Sequence, residues 1–356
     1  PRGATLRVAE GPGGERAVAR APRAKKPAAV AAPGPRVVEN PIKIGIIGTG
    51  GWAAYHADRF REHGARLVGC LDIDPERARA FAEQKGVERV CGGLDEVLDR
   101  VDAVSIVTSD ASHAEYTLAA LAAGKHVMCE KPLTTTLADA HEVADAARRA
   151  TANGQVHCIN FTQRNHAFFE AARKLIEEGS IGRVSQAIGA YEQSWLTQDA
   201  WGHWSSPSWL WRIRRPAGVL VDIGVHLLDM ATALVGDPLR LRCDLRTLPK
   251  VHEGREVSEW QGTPLDADDI ATIEMELAGG GFGLLQTSRW ATGHLNRTYL
   301  EVSGTEGAVR LDLDAGSTKL RICRGEDVRA AAWRTVDLEP VPHLWARFVE
   351  ACERRE

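Results

Sequence analysis

From Ile42 onward the chain alternates short apolar runs with stretches of helical periodicity, and the first apolar run ends in glycine. KIGIIG (43–48) reads as a buried strand feeding a tight turn, and GWAAYHADRFREHG (51–64) as a helix stopped by Gly64. RLVGCLD (66–72) is a second strand, and PERARAFAEQKG (75–86) is a helix with Pro75 at a first helical position. DAVSIVT (102–108), HVMCE (126–130) and QVHCIN (155–160) are further strands, separated by helices over 112–124 and 136–150. Strands that alternate with helices imply βαβ units and a doubly wound parallel sheet, covered on both faces. A chain organised this way is α/β over its first half.

Past residue 180 the period changes from helical spacing to strict alternation. ATIEMELA puts Ile273, Met275 and Leu277 on one face and Thr272, Glu274 and Glu276 on the other; VRLDLD (309–314) and KLRIC (319–323) alternate likewise. One dry and one wet face is the habit of an antiparallel sheet. Gly279-Gly280-Gly281 and Gly304-Thr305-Glu306-Gly307 mark turns between the strands. The second half is therefore an α+β domain with a large, mostly antiparallel open sheet. The expected organisation is a disordered Ala/Pro/Arg/Gly-rich leader over 1–40, a dinucleotide-binding Rossmann domain over 41–163, a substrate and oligomerisation domain over 164–340, and the start of a truncated C-terminal helix over 341–356.

Composition removes several classes. A net charge of −4 provides no field to hold a polyanion, so nucleic acid is not an expected partner. No apolar run reaches the roughly 18 residues needed to span a bilayer. The seven cysteines are scattered with no CxxC pair, which argues against a disulfide framework or a thiolate zinc site and for reduced thiols in a cytoplasmic protein.

GTGGWA (48–53) lies where the first strand hands over to the first helix and fits G-x-G-x-x-A through Gly48, Gly50 and Ala53. The first glycine permits the tight turn, the second lets a pyrophosphate approach the backbone, and the small third residue lets helix and strand pack closely. Thr49, Gly51 and Trp52 complete this loop, and the helix N-terminus offers N–H groups and partial positive charge to the phosphates. Asp72 ends the second strand 22 residues after Gly50, a spacing that suits a carboxylate accepting from the adenosine ribose hydroxyls. An anion there disfavours a 2′-phosphate, so NAD is expected over NADP. Arg77 and Arg79 lie close enough in sequence to weaken that preference, which leaves NADP as the alternative.

Two further motifs sharpen the reading: Glu130-Lys131-Pro132 at the end of a strand, and Asp222-x-Gly224-x-His226-x-x-Asp229 in GVLVDIGVHLLDM. With GTGGWA, and in this order, they resemble the Gfo/Idh/MocA oxidoreductases over roughly residues 42–350. The resemblance implies a Rossmann domain followed by a large open sheet, a bound nicotinamide dinucleotide, and hydride transfer at a carbinol carbon of a polyol, inositol or sugar. It implies that Lys131, Asp222 and His226 form the catalytic group, that Thr108, Ser109, His113, Glu130, Lys131 and Arg164 lie near the cofactor, and that the sheet packs between subunits of a homodimer or homotetramer. Relatives with other outcomes leave two alternatives: a redox-neutral glycosidase using NAD transiently, and a non-catalytic dinucleotide-binding regulator. The chain departs from the family pattern at Thr108-Ser109-Asp110 and at Ala217-Gly218-Val219, where a Thr-Pro-Asn and a glycine pair are usual.

The residue types suit the chemistry. Oxidising an alcohol releases a hydride and a proton, and a neutral imidazole at His226 can accept the proton. Asp222, spaced i, i+4 from His226, shares its helix face and is expected to orient the ring or stabilise the imidazolium. Cationic Lys131 can stabilise a developing alkoxide, or, with a lowered pKa, act as the base itself. Asp222, His226 and Asp229 could also ligate zinc or manganese, but no further ligand follows by spacing, and no metal is expected. Five of the ten tryptophans fall at Trp195, Trp201, Trp204, Trp209 and Trp211. Most are read as packing; Trp211 and Arg212, just before the DxGxH helix, are the candidates to face a sugar, with Lys131, Asp222 and His226. For Arg164 and His113 the competing readings are a domain-hinge ion pair and a helix-start brace.

Overall fold

A computed structural model describes residues 39–197, 204–205, 210–314 and 317–354. The expected leader, most of residues 1–40, lies outside them, as do Trp201 and Trp209.

The first half is the expected βαβ array. Strands β1 (Lys43–Ile47), β2 (Arg66–Leu71), β3 (Ala103–Ile106), β4 (His126–Glu130) and β5 (His157–Asn160) form one sheet in the order β2-β1-β3-β4-β5, every pair parallel. The helices between them are α1 (Gly51–Glu62), α2 (Pro75–Lys85), the short α3 (Leu94–Leu98), α4 (His113–Ala122) and α5 (Leu137–Ala152). Local chemistry sets their ends. Asp74 caps α2 by accepting from the N–H groups of Glu76 and Arg77, Pro75 occupies the first turn, and Gly86 ends the helix at φ 59°. Where a further parallel strand would extend the sheet beside β2, only an isolated bridge between Cys70 and Val90 forms. Strand order reverses between β1 and β3, so the crevice at their carboxyl ends is where such a sheet takes a ligand.

After α6 (Ala167–Glu177) comes β6 (Val184–Glu192), the first strand of the second sheet. A 3-10 turn at Trp211–Ile213 and a π turn at Leu220–Gly224 lead into α7 (Val225–Val235). Then follow β7 (Arg240–Arg246) and four short strands, β8 (Lys250–His252), β9 (Arg255–Val257), β10 (Glu259–Trp260) and β11 (Thr263–Pro264). The sheet resumes with β12 (Ile270–Glu276), β13 (Phe282–Ser288), β14 (Arg297–Gly304), β15 (Gly307–Asp314) and β16 (Ser317–Arg324); after the turn α8 (Asp327–Ala330), β17 (Arg334–Thr335) closes its edge. The eight strands run β17-β16-β15-β14-β6-β13-β12-β7, antiparallel throughout except for the parallel pair β13–β6.

The alternation read from ATIEMELA holds: Ile273, Met275 and Leu277 are buried, in one core with Phe168 and Phe169 of α6 and Leu227, Met230 and Ala231 of α7. Each such side chain contributes roughly 1.5–3 kcal/mol by leaving water. One face of the sheet thus carries α6 and α7. The opposite face exposes Phe282, Leu284 and Ile188. The last helix, α9 (Leu344–Arg354), does not extend the second domain. Its Trp345, Phe348, Val349 and Cys352 pack into the Rossmann core beside Ala53, Ala57 and Phe60 of α1. No helix among the described residues is long and apolar enough to cross a membrane.

Candidate functional site

The glycine loop turns as its sequence requires. Gly48 has φ 88°, and a Cβ there would stand 2.6 Å from the carbonyl oxygen of Val107, so this glycine is needed by the protein's own packing. Gly50 and Gly51 differ: a Cβ on either meets nothing within 4 Å. Gly50 is the N-cap of α1 and has no side chain to cap it. This open cradle at a helix N-terminus, at the sheet's switch point, fits a dinucleotide pyrophosphate.

Asp72 is not the open acceptor its spacing suggests. Its side chain is 4% exposed. One oxygen accepts from the Thr49 N–H and hydroxyl, both at 2.7 Å, and from Arg77 Nε at 3.1 Å; the other accepts from the Asp74 N–H at 2.9 Å and from Arg77 Nη2. Arg77 and these donors overcome the effect of burial and hold the carboxyl well below its usual range. Arg79 pairs with Glu76 instead.

The EKP motif at the end of β4 is braced from beneath. Glu130 is buried, and its Oε1 contacts His56 Nε2 at 2.9 Å, Asn160 Nδ2, and Trp52 Nε1 at 3.0 Å. His56 Nδ1 in turn meets Ser105 Oγ at 2.8 Å. Trp52, half exposed, stacks on Tyr55 at 5.1 Å. His113 is 1% exposed, with Nδ1 2.7 Å from the Pro132 carbonyl and Nε2 3.2 Å from the Thr108 carbonyl. It braces the loop beside Lys131, in keeping with the helix-start role allowed above. Thr108 accepts from the Ser112 hydroxyl at 2.8 Å, and Ser109 is the N-cap of the turn after β3.

The structure brings Lys131, Asp222 and His226 together, though not as the helical spacing implies. The DxGxH motif starts in the π turn, and Asp222 bonds to Lys131 rather than orienting His226. Lys131 Nζ donates to the Asp222 carbonyl at 2.7 Å and to its Oδ1 at 3.2 Å. Oδ2 accepts from Arg289 Nη2 at 3.0 Å and lies 3.5 Å from Arg212 Nε. Burial opposes the charge on Asp222, but Lys131, Arg289 and Arg212 outweigh it and keep the carboxyl strongly ionised. His226 lies with its ring edge-on to Phe161 at 5.9 Å and near Tyr191 at 6.2 Å. Burial first, and Lys131 second, push its pKa down to about 3, so the ring is neutral at ordinary pH. Its Nδ1 is buried with no partner among the described residues. Burial pushes the Tyr191 phenol up to about 12, and its oxygen accepts from Gln163 Nε2 at 3.3 Å.

Arg164 forms a two-pronged ion pair with Asp229, both contacts at 2.6 Å. Among the described residues no group of three or more His, Cys, Asp or Glu could hold a metal. Two of the five tryptophans pack: Trp195 and Trp204 are buried in a small core with Leu196, Ile213 and Leu265. Trp211 begins the turn before Arg212, and its side chain is outside the described residues. Arg289, Gln163, Tyr191 and His56 were not singled out by sequence reasoning. Only Arg289 left a trace, as the one charge in GFGLLQTSR, just past a strand that is otherwise uncharged.

A parallel sheet with an open glycine cradle, whose Lys131 meets Asp222 beside the buried His226 of a second domain, defines a two-domain dinucleotide-binding protein. Residues 42–157 match an oxidoreductase family with an NAD-binding Rossmann fold, and residues 169–310 match the GFO/IDH/MocA C-terminal domain. The chain belongs to the Gfo/Idh/MocA family, and its first domain is of the NAD-binding kind. It is 33% identical over 278 residues to a 1,5-anhydro-D-fructose reductase of Ensifer adhaerens, covering 75% of this chain and 76% of that one. It is 32% identical over 253 residues to a levoglucosan dehydrogenase of Pseudarthrobacter phenanthrenivorans, covering 67% of this chain and 63% of that protein. A levoglucosan dehydrogenase solved with NADH and levoglucosan superposes with a TM-score of 0.74 at 27% identity, covering 89% of each chain.

Proposed function

We propose that this protein is an NAD-dependent dehydrogenase that oxidises or reduces a carbinol carbon of a sugar or polyol, as a homodimer or homotetramer, with Lys131, Asp222 and His226 as the reacting group. The observation that carries the reading is the Lys131–Asp222 contact between the two domains, beside a neutral His226. A bound nicotinamide supplies the hydride acceptor or donor. The chain supplies the rest. Lys131 has three N–H donors and spends two on Asp222, so the third is available to the reacting oxygen, where a cation stabilises developing alkoxide character. His226 is neutral and so able to take a proton, but burial and Lys131 disfavour the imidazolium. The drive for the transfer therefore comes from loss of hydride at the same carbon, which makes the alcohol oxygen strongly acidic. Arg212, whose Nε lies 3.5 Å from Asp222, is the candidate to contact a sugar hydroxyl. Arg77, neutralised on Asp72, is not a ready receptor for a 2′-phosphate, which supports NAD over NADP.

The test is fluorescence titration with NADH and NADPH, followed by a screen of levoglucosan, myo-inositol, D-apiose and simple glucosides for absorbance change at the nicotinamide band. Tighter NADH binding, turnover of one of these, and a kcat loss of at least about a hundredfold in Lys131→Met are the expected results. Release of free sugar without NADH accumulation would replace the proposal with a redox-neutral glycosidase. Binding without any turnover would replace it with a regulator.

A further inference from the structure

Asp222 presents two oxygens, and only one faces Lys131. The other is held by Arg289, which stands just past the end of β13 and is 0% exposed. Arg289 makes more than one contact. Its Nη1 donates to the Arg212 carbonyl at 2.6 Å, and its Nη2 donates to the Gly218 carbonyl at 3.2 Å as well as to Asp222. The guanidinium also lies 5.1 Å from the centre of the Trp195 ring. Its own backbone is pinned, donating to Asp269 and accepting from Leu196. One planar cation therefore joins the turn carrying Arg212, the start of the DxGxH segment, the buried aromatic cluster and the reacting carboxylate.

A guanidinium stays protonated at any working pH and presents its donors as a rigid fork, so it fixes several acceptors at once where an ammonium fixes a point. Buried behind Asp222, it does not reach substrate. We propose that Arg289 is a positioning residue for the reaction: it occupies Oδ2 of Asp222 and the carbonyls of Arg212 and Gly218, so that Oδ1 and the Asp222 carbonyl stay aimed at Lys131. This rests on the reading of Lys131 and Asp222 as reacting groups.

The test is a double-mutant cycle of Arg289→Lys and Asp222→Asn, followed two ways. The first readout needs no substrate: acetylation of Lys131 by acetic anhydride in the free protein, measured by peptide mass spectrometry against the other lysines. Release of Asp222 exposes the amine, so Arg289→Lys raises the Lys131 rate about threefold or more, and adds little once Asp222→Asn is present. The second is kcat and KM with NAD and levoglucosan, or myo-inositol where that is the faster substrate. Arg289→Lys lowers kcat about tenfold or more with KM nearly unchanged, and the loss shrinks to about threefold or less in the Asp222→Asn background. Cooperative melting and wild-type NADH affinity certify each variant; if Arg289→Lys fails to fold, Arg289→Gln takes its place in the cycle. Losses that multiply, or an unchanged Lys131 rate and kcat, overturn the proposal. A coupled labelling cycle with kcat indifferent to Asp222→Asn keeps the geometry and overturns the catalytic reading instead.

Discussion

At the scale of single residues, the site's character comes from charge placed out of water. Asp222 is ionised because three cations surround it, and His226 is neutral because burial and Lys131 disfavour its charged form. The second fact has a measurable consequence. Between its ordinary value of 6.5 and about 3, His226 takes up a proton in the unfolded chain but not in the folded one, so stability falls as pH drops through that window. Replacing it by a group that does not titrate removes this loss. Urea unfolding at pH 6.5 and 4.5 should show His226→Asn losing on the order of 2 kcal/mol less than wild type between the two. Equal losses would mean that His226 titrates normally. The three catalytic candidates were legible because their motifs are local in sequence. Their partners were not: helical spacing paired Asp222 with His226, whereas the fold delivers Lys131 from 91 residues away and Arg289 from 67.

At the scale of elements, two glycine segments show how the same residue serves different ends. Gly48 is required by its positive φ and by Val107, while Gly50 has φ −67° and open space above it. Gly48→Ala should therefore destabilise the free protein, by about 1–3 kcal/mol. Gly50→Ala should change it by less than about 1 kcal/mol, because the poorer N-cap offsets the lower chain entropy, yet weaken NADH binding at least about tenfold. Thermal melts with NADH titrations on both variants check the pair; an undiminished affinity in Gly50→Ala would remove the cradle from the cofactor site. The second segment leads into α7. Gly218 lets Asp268 approach so closely that a Cβ would fall 1.8 Å from its Oδ1, and Asp268 in turn accepts from the Leu220 N–H at 2.9 Å. A carboxylate from 48 residues downstream thus caps the segment that carries Asp222. The departure from a glycine pair at Ala217-Gly218-Val219 keeps the one glycine that this approach demands. The sequence showed a helix here; the π turn that opens it was not readable, because its hydrogen-bond register depends on what packs against it.

At the scale of the whole molecule, the eight-stranded sheet has one face under helices and, among the described residues, one without. On the bare face Leu284 and Ile188 are direct cross-strand partners, with Phe282 beside them, and all three are exposed. Further along it, Arg297 bridges Glu192 and Asp312, and Arg310 pairs with Glu301. An apolar strip rimmed by charged pairs is the usual make-up of a contact between subunits. Leu284→Lys with Phe282→Glu should convert the assembly to monomers in light scattering while leaving NADH affinity intact. An unchanged mass would place the interface elsewhere, and a monomeric wild type would reject the assembly.

What the amino-acid sequence determined was whatever depends on neighbours along the chain. Apolar periodicity marked both sheets, glycine and proline marked the turns, and the GTGGWA, EKP and DxGxH motifs marked the cradle and the side chains proposed to react. What only the tertiary structure decided was which groups those side chains face. Asp72 holds Thr49 and Arg77, the His113 ring meets the Pro132 carbonyl, and Arg289, which no motif marked, is buried against Asp222. The physical reason is common to all three. A hydrogen bond or a buried charge is worth little in water and much in a dry interior, and dryness is a property of how distant segments pack.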